Sequence, residues 1–175
     1  VIPLDTERLT LRELTEEDAP FMLRLLNDPS YIRFIGDRGV RTVEEARAFL
    51  RDRLIAHYRR HGFGLFLVEL REPRTPVGIC GLIRRDGLDD VDVGFAFLPE
   101  HCSKGYALES ARAVMRLGED DLGLSRIVAI VTPDNAPSIR LIEKLGLQFE
   151  RMIDWPADGS RLALYGTAPR PMEAG

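Results

Sequence analysis

The chain has 175 residues, 45% of them hydrophobic and 30% charged, with a formal net charge of −4. That length suits one domain burying roughly 70% of its unfolded surface, and the lack of a basic excess argues against a nucleic-acid platform. Two cysteines, Cys80 and Cys102, make no disulfide framework, and no run approaches the roughly 20 apolar residues of a membrane span. With no signal-peptide pattern in Val1–Asp5, the expectation is a cytoplasmic protein with reduced thiols, no metal and no membrane partner. Residues 1–175 are read as one domain, with its core over about 6–168 and a disordered tail at 169–175.

Arg8-Leu9-Thr10-Leu11-Arg12 alternates polar and apolar residues, which predicts a half-buried strand. Thr15-Glu16-Glu17-Asp18 reads as a capping box opening a helix with Phe21, Met22, Leu25 and Leu26 at helical spacing, and Asn27-Asp28-Pro29 as its stop. Thr42-Val43-Glu44-Glu45 opens a longer helix carrying Ala46, Phe49, Leu50, Leu54 and Tyr58 on one face. Strands follow at 65–70 and 77–82, separated by the Pro-containing turn 72–76.

Asp86-Gly87 then turns the chain into an apolar strand over 91–98. Pro99 ends it, and Ser103-Lys104-Gly105-Tyr106-Ala107 leads into an amphipathic helix with Leu108, Ala111, Val114 and Met115 on one face. Such a turn is an anion seat, because free backbone N–H groups and the positive end of the helix dipole converge on it. The apolar run 127–132 predicts a strand covered on both faces. A short helix over 139–145, ended by Gly146, and strands near 149–154 and 162–165 complete the order. This is a mixed α/β chain, with helices packed on a largely antiparallel central sheet.

With these elements in place, the chain resembles a GNAT-type acyl-CoA N-acetyltransferase, most closely the Rim-type branch that acetylates protein N-termini. Thr6-Glu7-Arg8-Leu9-Thr10-Leu11-Arg12, Asp18 and Leu25-Leu26-Asn27-Asp28-Pro29 match the N-terminal signature of that branch. Asp92-Val93-Gly94-Phe95, Leu98-Pro99-Glu100 and Lys104–Glu109 match the acyl-CoA segment, and Asn135-Ala136-Pro137-Ser138 with Leu141–Leu147 the closing motif. Three positions depart from the family pattern. Cys102 stands where Gln or Arg is usual, Ser103 where Gly is frequent, and Ile142 where many members carry a catalytic Tyr.

The resemblance implies acetyl transfer from acetyl-CoA, as co-substrate, to a primary amine. A protein N-terminal α-amine is the leading acceptor; a polyamine, amino acid or antibiotic is the alternative, and a non-catalytic acyl-CoA-binding module a third reading. It further implies that strand 94–98 splays from strand 127–132 to admit the pantetheine arm. Backbone amides from Ser103 through Lys104, Gly105 and Tyr106 to Ala107 would hold the pyrophosphate, with Asn135 and Ser138 nearby. A main-chain N–H near Phe97 or Leu98 would meet the oxyanion. Asp92 and Asp154 are both candidates for the base that takes the amine proton. Ser138 or Tyr165 could address the CoA sulfur in place of the missing Tyr. His57 and His61, four apart on a helix, lack a third ligand and read as a solvated helix end. Cys102 next to His101 reads as an ordinary turn rather than a nucleophilic pair. A monomer or a homodimer fits equally.

Overall fold

The computed structural model describes residues 2–168; the tail expected beyond 168 lies outside the described residues. Alternation makes β2 (Leu9–Glu13) and β3 (Leu65–Leu70) two-faced, with Leu9, Leu11, Phe66 and Val68 in one core layer and Leu67 in the other. With β1 (Leu4–Asp5), β4 (Thr75–Ile83), β5 (Asp92–Phe97), β6 (Val128–Val131), β7 (Gln148–Asp154) and β8 (Arg161–Gly166) they form one eight-stranded sheet. Its order is β1-β2-β3-β4-β5-β6-β8-β7, and every neighbouring pair is antiparallel except β5 and β6.

Helices cover both faces. On one, α1 (Ala19–Leu26) and α3 (Val43–Phe49) bring Met22, Leu25, Leu26 and Ala46 against Leu67, Ile79 and Leu98. On the other, α5 (Tyr106–Arg116) and α6 (Ala136–Lys144) bring Ala111, Val114 and Ile142 against Leu9, Leu11, Cys80, Leu82 and Val93. Each fully buried leucine stabilises the fold by about 1.5–3 kcal/mol.

Four local features differ from the sequence reading or add to it. A 3₁₀ turn, Glu16–Asp18, precedes α1, and within it Thr15 N–H donates to Asp18 Oδ2 at 2.8 Å. Asn27-Asp28-Pro29 ends α1 at Leu26, as expected, and also starts a further helix. Asp28 accepts from the N–H groups of Ser30 (3.1 Å) and Tyr31 (3.3 Å), and Pro29 sits in the first turn of α2 (Pro29–Phe34). α6 begins at Ala136, ahead of the expected Ile139, because Asn135 Oδ1 caps it by accepting from Ser138 N–H at 3.4 Å. The long second helix is α3 joined to α4 (Ala56–His61) through a π-helical turn, Leu50–Ile55.

The expected splay is present. β5 and β6 share a single register pair, Asp92 with Val128, backed by Val128 N–H donating to Val91 O at 3.0 Å. Beyond it the strands diverge to Phe97 and Val131, leaving a V. Its closed end is clamped by Arg126, which donates to Asp90 (3.0 Å), to both carboxylate oxygens of Glu150 (2.6 Å each) and to Thr167 O (2.9 Å).

Candidate active site

The direction of backbone groups follows from pairing. Leu98 N–H donates to Val77 O at 3.0 Å, so Val77 and Leu98 are a hydrogen-bonded pair, one step beyond the Gly78–Phe97 register pair. Bonding alternates along an antiparallel ladder, which turns the N–H groups of Phe95 and Phe97 away from β4 and into the V. This corrects the expectation for Leu98, whose N–H is already taken; Phe97 keeps a donor that faces the cleft. An extended arm laid between β5 and β6 would meet strand edges on both sides.

At the open end of β5 the chain turns through Pro99–Cys102 into the turn expected to seat an anion. Ser103 has φ 61° and Gly105 φ 83°, both left-handed, and α5 starts at Tyr106. Glu109 N–H, donating to Gly105 O at 3.0 Å, makes the first helical bond. The N–H groups of Tyr106, Ala107 and Leu108 therefore have no helical acceptor behind them. Ser103 adopts the conformation that the family's frequent Gly would adopt freely, so the loop shape survives the replacement.

Arg8, absent from the expected site, buttresses this turn. Its Nη1 donates to Lys104 O (2.9 Å), its Nε to Glu109 Oε1 (2.7 Å), and its guanidinium lies 4.7 Å from the Tyr106 ring centre. Glu109 also accepts from Thr6 Oγ1 (2.5 Å) and Arg8 N–H (2.9 Å). Although burial opposes it, these bonds hold the Glu109 carboxyl below its usual range. A cleft of 680 Å³ behind the turn, lined by Arg8, Gly105, Glu109 and Arg112, contains no residue of β5 or β6 and is separate from the V.

Asp92 sits at the apex of the V, 1% exposed. Burial pushes its carboxyl up to about 6, against the pull of Arg85, whose Nε donates to Oδ1 at 2.9 Å. A carboxylate poised there is ionised at neutral pH yet able to take a proton. Asp154 is 80% exposed at the end of the edge strand β7, 3.9 Å from Arg161, and is separated from β5 by β6 and β8. The two candidate bases thus occupy different places, and only Asp92 lies at the apex.

Asn135 and Ser138 stand together at the start of α6, beyond the open end of β6, with Ser138 half-buried. Tyr165 is buried on β8 and packs its ring edge-on to Phe149. His57 engages the backbone through both ring nitrogens, Nδ1 to Phe63 O (2.6 Å) and Nε2 to Arg84 N–H (3.1 Å). The Cys102 thiol, which burial pushes up, donates to Leu98 O at 3.5 Å. Among the described residues, His101 Nδ1 and Thr132 Oγ1 are buried without a partner. One lies in the loop after β5 and the other just past the end of β6, so unmet hydrogen-bonding capacity flanks the mouth of the V. Only a structure could reveal these two, since neither type nor spacing marks them.

A family model described as an acetyltransferase (GNAT) domain matches residues 8–148, from β2 to the start of β7. The chain belongs to the GNAT acetyltransferases. It is an acetyl-CoA-dependent N-acetyltransferase. The N-acetyltransferase YnaD of Bacillus subtilis is 30% identical over 147 residues, covering 84% of this chain and 83% of that protein. Two solved structures share the fold at lower identity. A ribosomal-protein alanine acetyltransferase from Vibrio fischeri has a TM-score of 0.78 at 16% identity, over 98% of both chains. A spermidine N-acetyltransferase from Vibrio cholerae, in complex with CoA and spermine, has 0.74 at 20% identity, over 92% of this chain and 95% of that one.

Proposed function

We propose that the protein acetylates a primary amine by direct attack on acetyl-CoA, most naturally the α-amine of a protein N-terminus. The observation that carries this reading is the V itself. It combines strand N–H groups aimed inward, a helix N-terminus at its mouth and a buried carboxylate at its apex. The unpartnered His101 and Thr132 atoms at its two lips fit a polar ligand seated between the strands.

In this reading the amides of Ser103 to Ala107 hold the pyrophosphate, while Phe97 N–H, at the mouth, pairs with the pantetheine arm. Phe95 N–H, deeper in the V and nearer Asp92, donates to the oxygen on which charge develops. The amine nitrogen bonds to the thioester carbon and the C–S bond breaks. Asp92 takes the proton the amine loses, through water because the carboxylate is enclosed, and CoA leaves as a thiolate, which needs no strong general acid. Asn135 and Ser138 border the thiol end, with Ser138 as the hydroxyl nearest in role to the absent Tyr; Asp154 serves the rim rather than the chemistry. Residues 1–175 act as one catalytic unit, and the two free thiols suit a reducing cytoplasm.

The two structural kin carry different acceptors in their names, so choice of amine rests on residues of this chain. Release of CoA thiol from acetyl-CoA, followed over peptides and small amines, tests the reading. Acceptor-dependent release with a peptide α-amine is expected. Tight CoA binding with no release for any amine would leave a binding module instead.

A further inference from the structure

Arg85 is not used by the acetyl-CoA seat. It follows β4, and its Nε holds Asp92 while its side chain stays 30% exposed against 2% for Asp92. Among the described residues neither Nη has a partner, and Nη2 lies 4.0 Å from where a Cβ on Gly94 would sit. Gly94 and Asp92 share a strand face, so the guanidinium runs along β5 from the buried base toward solvent. The 84–91 segment also reaches the β7–β8 turn, because a Cβ on Gly87 would sit 3.2 Å from Pro156 Cγ. An amine approaching Asp92 from this side passes the outer edge of Arg85.

The Nε edge of Arg85 is committed to Asp92, and the pair as a whole carries little net charge, so it neither repels nor draws in a cation strongly. What stays open is the outer edge, where two Nη groups present a donor fork suited to a carbonyl or carboxylate oxygen and to no cation. Polyamines offer only cations. An α-aminoacyl unit offers a weakly basic amine with an oxygen acceptor three bonds away.

We propose that Arg85 is the acceptor-selecting residue, reading the carbonyl or carboxylate oxygen next to the reacting amine and so choosing α-aminoacyl acceptors over polyamines. This rests on the catalytic reading of the V above. The test compares kcat/KM for alaninamide and isopropylamine, in which a methyl replaces the carboxamide, in the wild type and in Arg85→Met. Both acceptors use the same base, so any change at Asp92 cancels in the ratio. The preference for alaninamide should fall about 10- to 100-fold in the variant, the worth of a hydrogen bond to a charged group. Arg85→Lys, which can keep a cation beside Asp92 but loses the fork, should show most of that fall and serves if the Met variant does not fold.

Alanine and an alanine-led tetrapeptide, run alongside, separate a free amino acid from a chain terminus as the natural source. An unchanged ratio in either folded variant overturns the inference, as does a wild type that favours spermidine over every α-amine. Turnover without discrimination leaves the catalytic reading standing; no turnover with any amine removes both.

Discussion

Replacing Asp92 by Asn should lower activity and raise stability together. The carboxyl is enclosed, and its folded value of about 6 lies about 2 units above an unfolded aspartate. At neutral pH the fold therefore carries an ionised group that it would rather protonate, a burden of up to about 3 kcal/mol at 1.36 kcal/mol per unit. The sign follows from proton counts. Between about pH 4 and 6 the folded state binds more protons than the unfolded one, so this contribution to stability declines as pH rises through that window. Asn carries no charge at any pH, and Arg85, partly exposed, can be hydrated or donate to the amide oxygen. Denaturant unfolding at pH 7.5 should show Asp92→Asn more stable than the wild type by about 1–3 kcal/mol, with the gap closing below about pH 4. Thiol-release assays on the same samples should show kcat/KM reduced about 100- to 10,000-fold at pH 7. The wild-type rate should fall below about pH 6 as the base protonates, and the variant should lose that limb. A variant with the wild-type pH–rate profile, or one destabilised equally at both pH values, would refute the assignment.

Other outcomes follow from the seat and the sheet. Gly105→Asp forces a side chain onto a φ of 83° with its Cβ 3.1 Å from Arg8 Nη2, which strains the turn and draws Arg8 off Lys104 O, so CoA affinity measured by calorimetry should drop at least about tenfold; unchanged affinity in a folded protein would remove the seat. Ser103→Gly relieves a left-handed φ of 61° and should leave CoA binding intact, with unfolding free energy equal to the wild type or up to about 1 kcal/mol higher. Loss of stability there would mean that the hydroxyl, not the backbone, matters. Arg8→Gln frees Lys104 O and Glu109, and should raise KM for acetyl-CoA about tenfold with saturated kcat nearly unchanged. Gly81→Ala would set a Cβ 2.0 Å from Gly64 O, a backbone atom that cannot yield cheaply, so a loss of 3 kcal/mol or more is expected on thermal unfolding.

What could be seen in advance depended on how local the physics is. The strand–turn–helix from Asp92 to Glu109 was legible because strand alternation, Pro99 and Gly105 act within a few residues of one another. The cap at Thr42 was legible for the same reason, and its Oγ1 accepts from Glu45 N–H at 3.1 Å. Asp28-Pro29 was ambiguous, since the pair that closes one helix also suits the opening of another; packing of Tyr31 into the core decides for α2. The consumed Leu98 N–H depends on Val77, and the buttress on Arg8 meeting Lys104 and Glu109 some hundred positions later. Arg85 looked like an ordinary turn residue because its partner is fixed by strand register rather than by spacing. Composition and pattern located the strand–turn–helix, while long-range pairing located its neighbours.

The single register pair between β5 and β6 makes this sheet two plates meeting at one rivet, β1 to β5 on one side and β6, β8 and β7 on the other. The pantetheine arm would then behave as a temporary ninth strand that makes the sheet continuous. Apart from Arg126 and the residues around it, little but helix packing resists the plates turning against each other. Such a joint is a natural boundary for sub-global opening, with the β6–α6–β7–β8 segment as one cooperative unit. Saturation should close that route, adding about 2.7 kcal/mol of stability at a hundredfold excess over Kd. The molecule that supplies the acetyl group would then also supply the mechanical integrity of the enzyme that uses it.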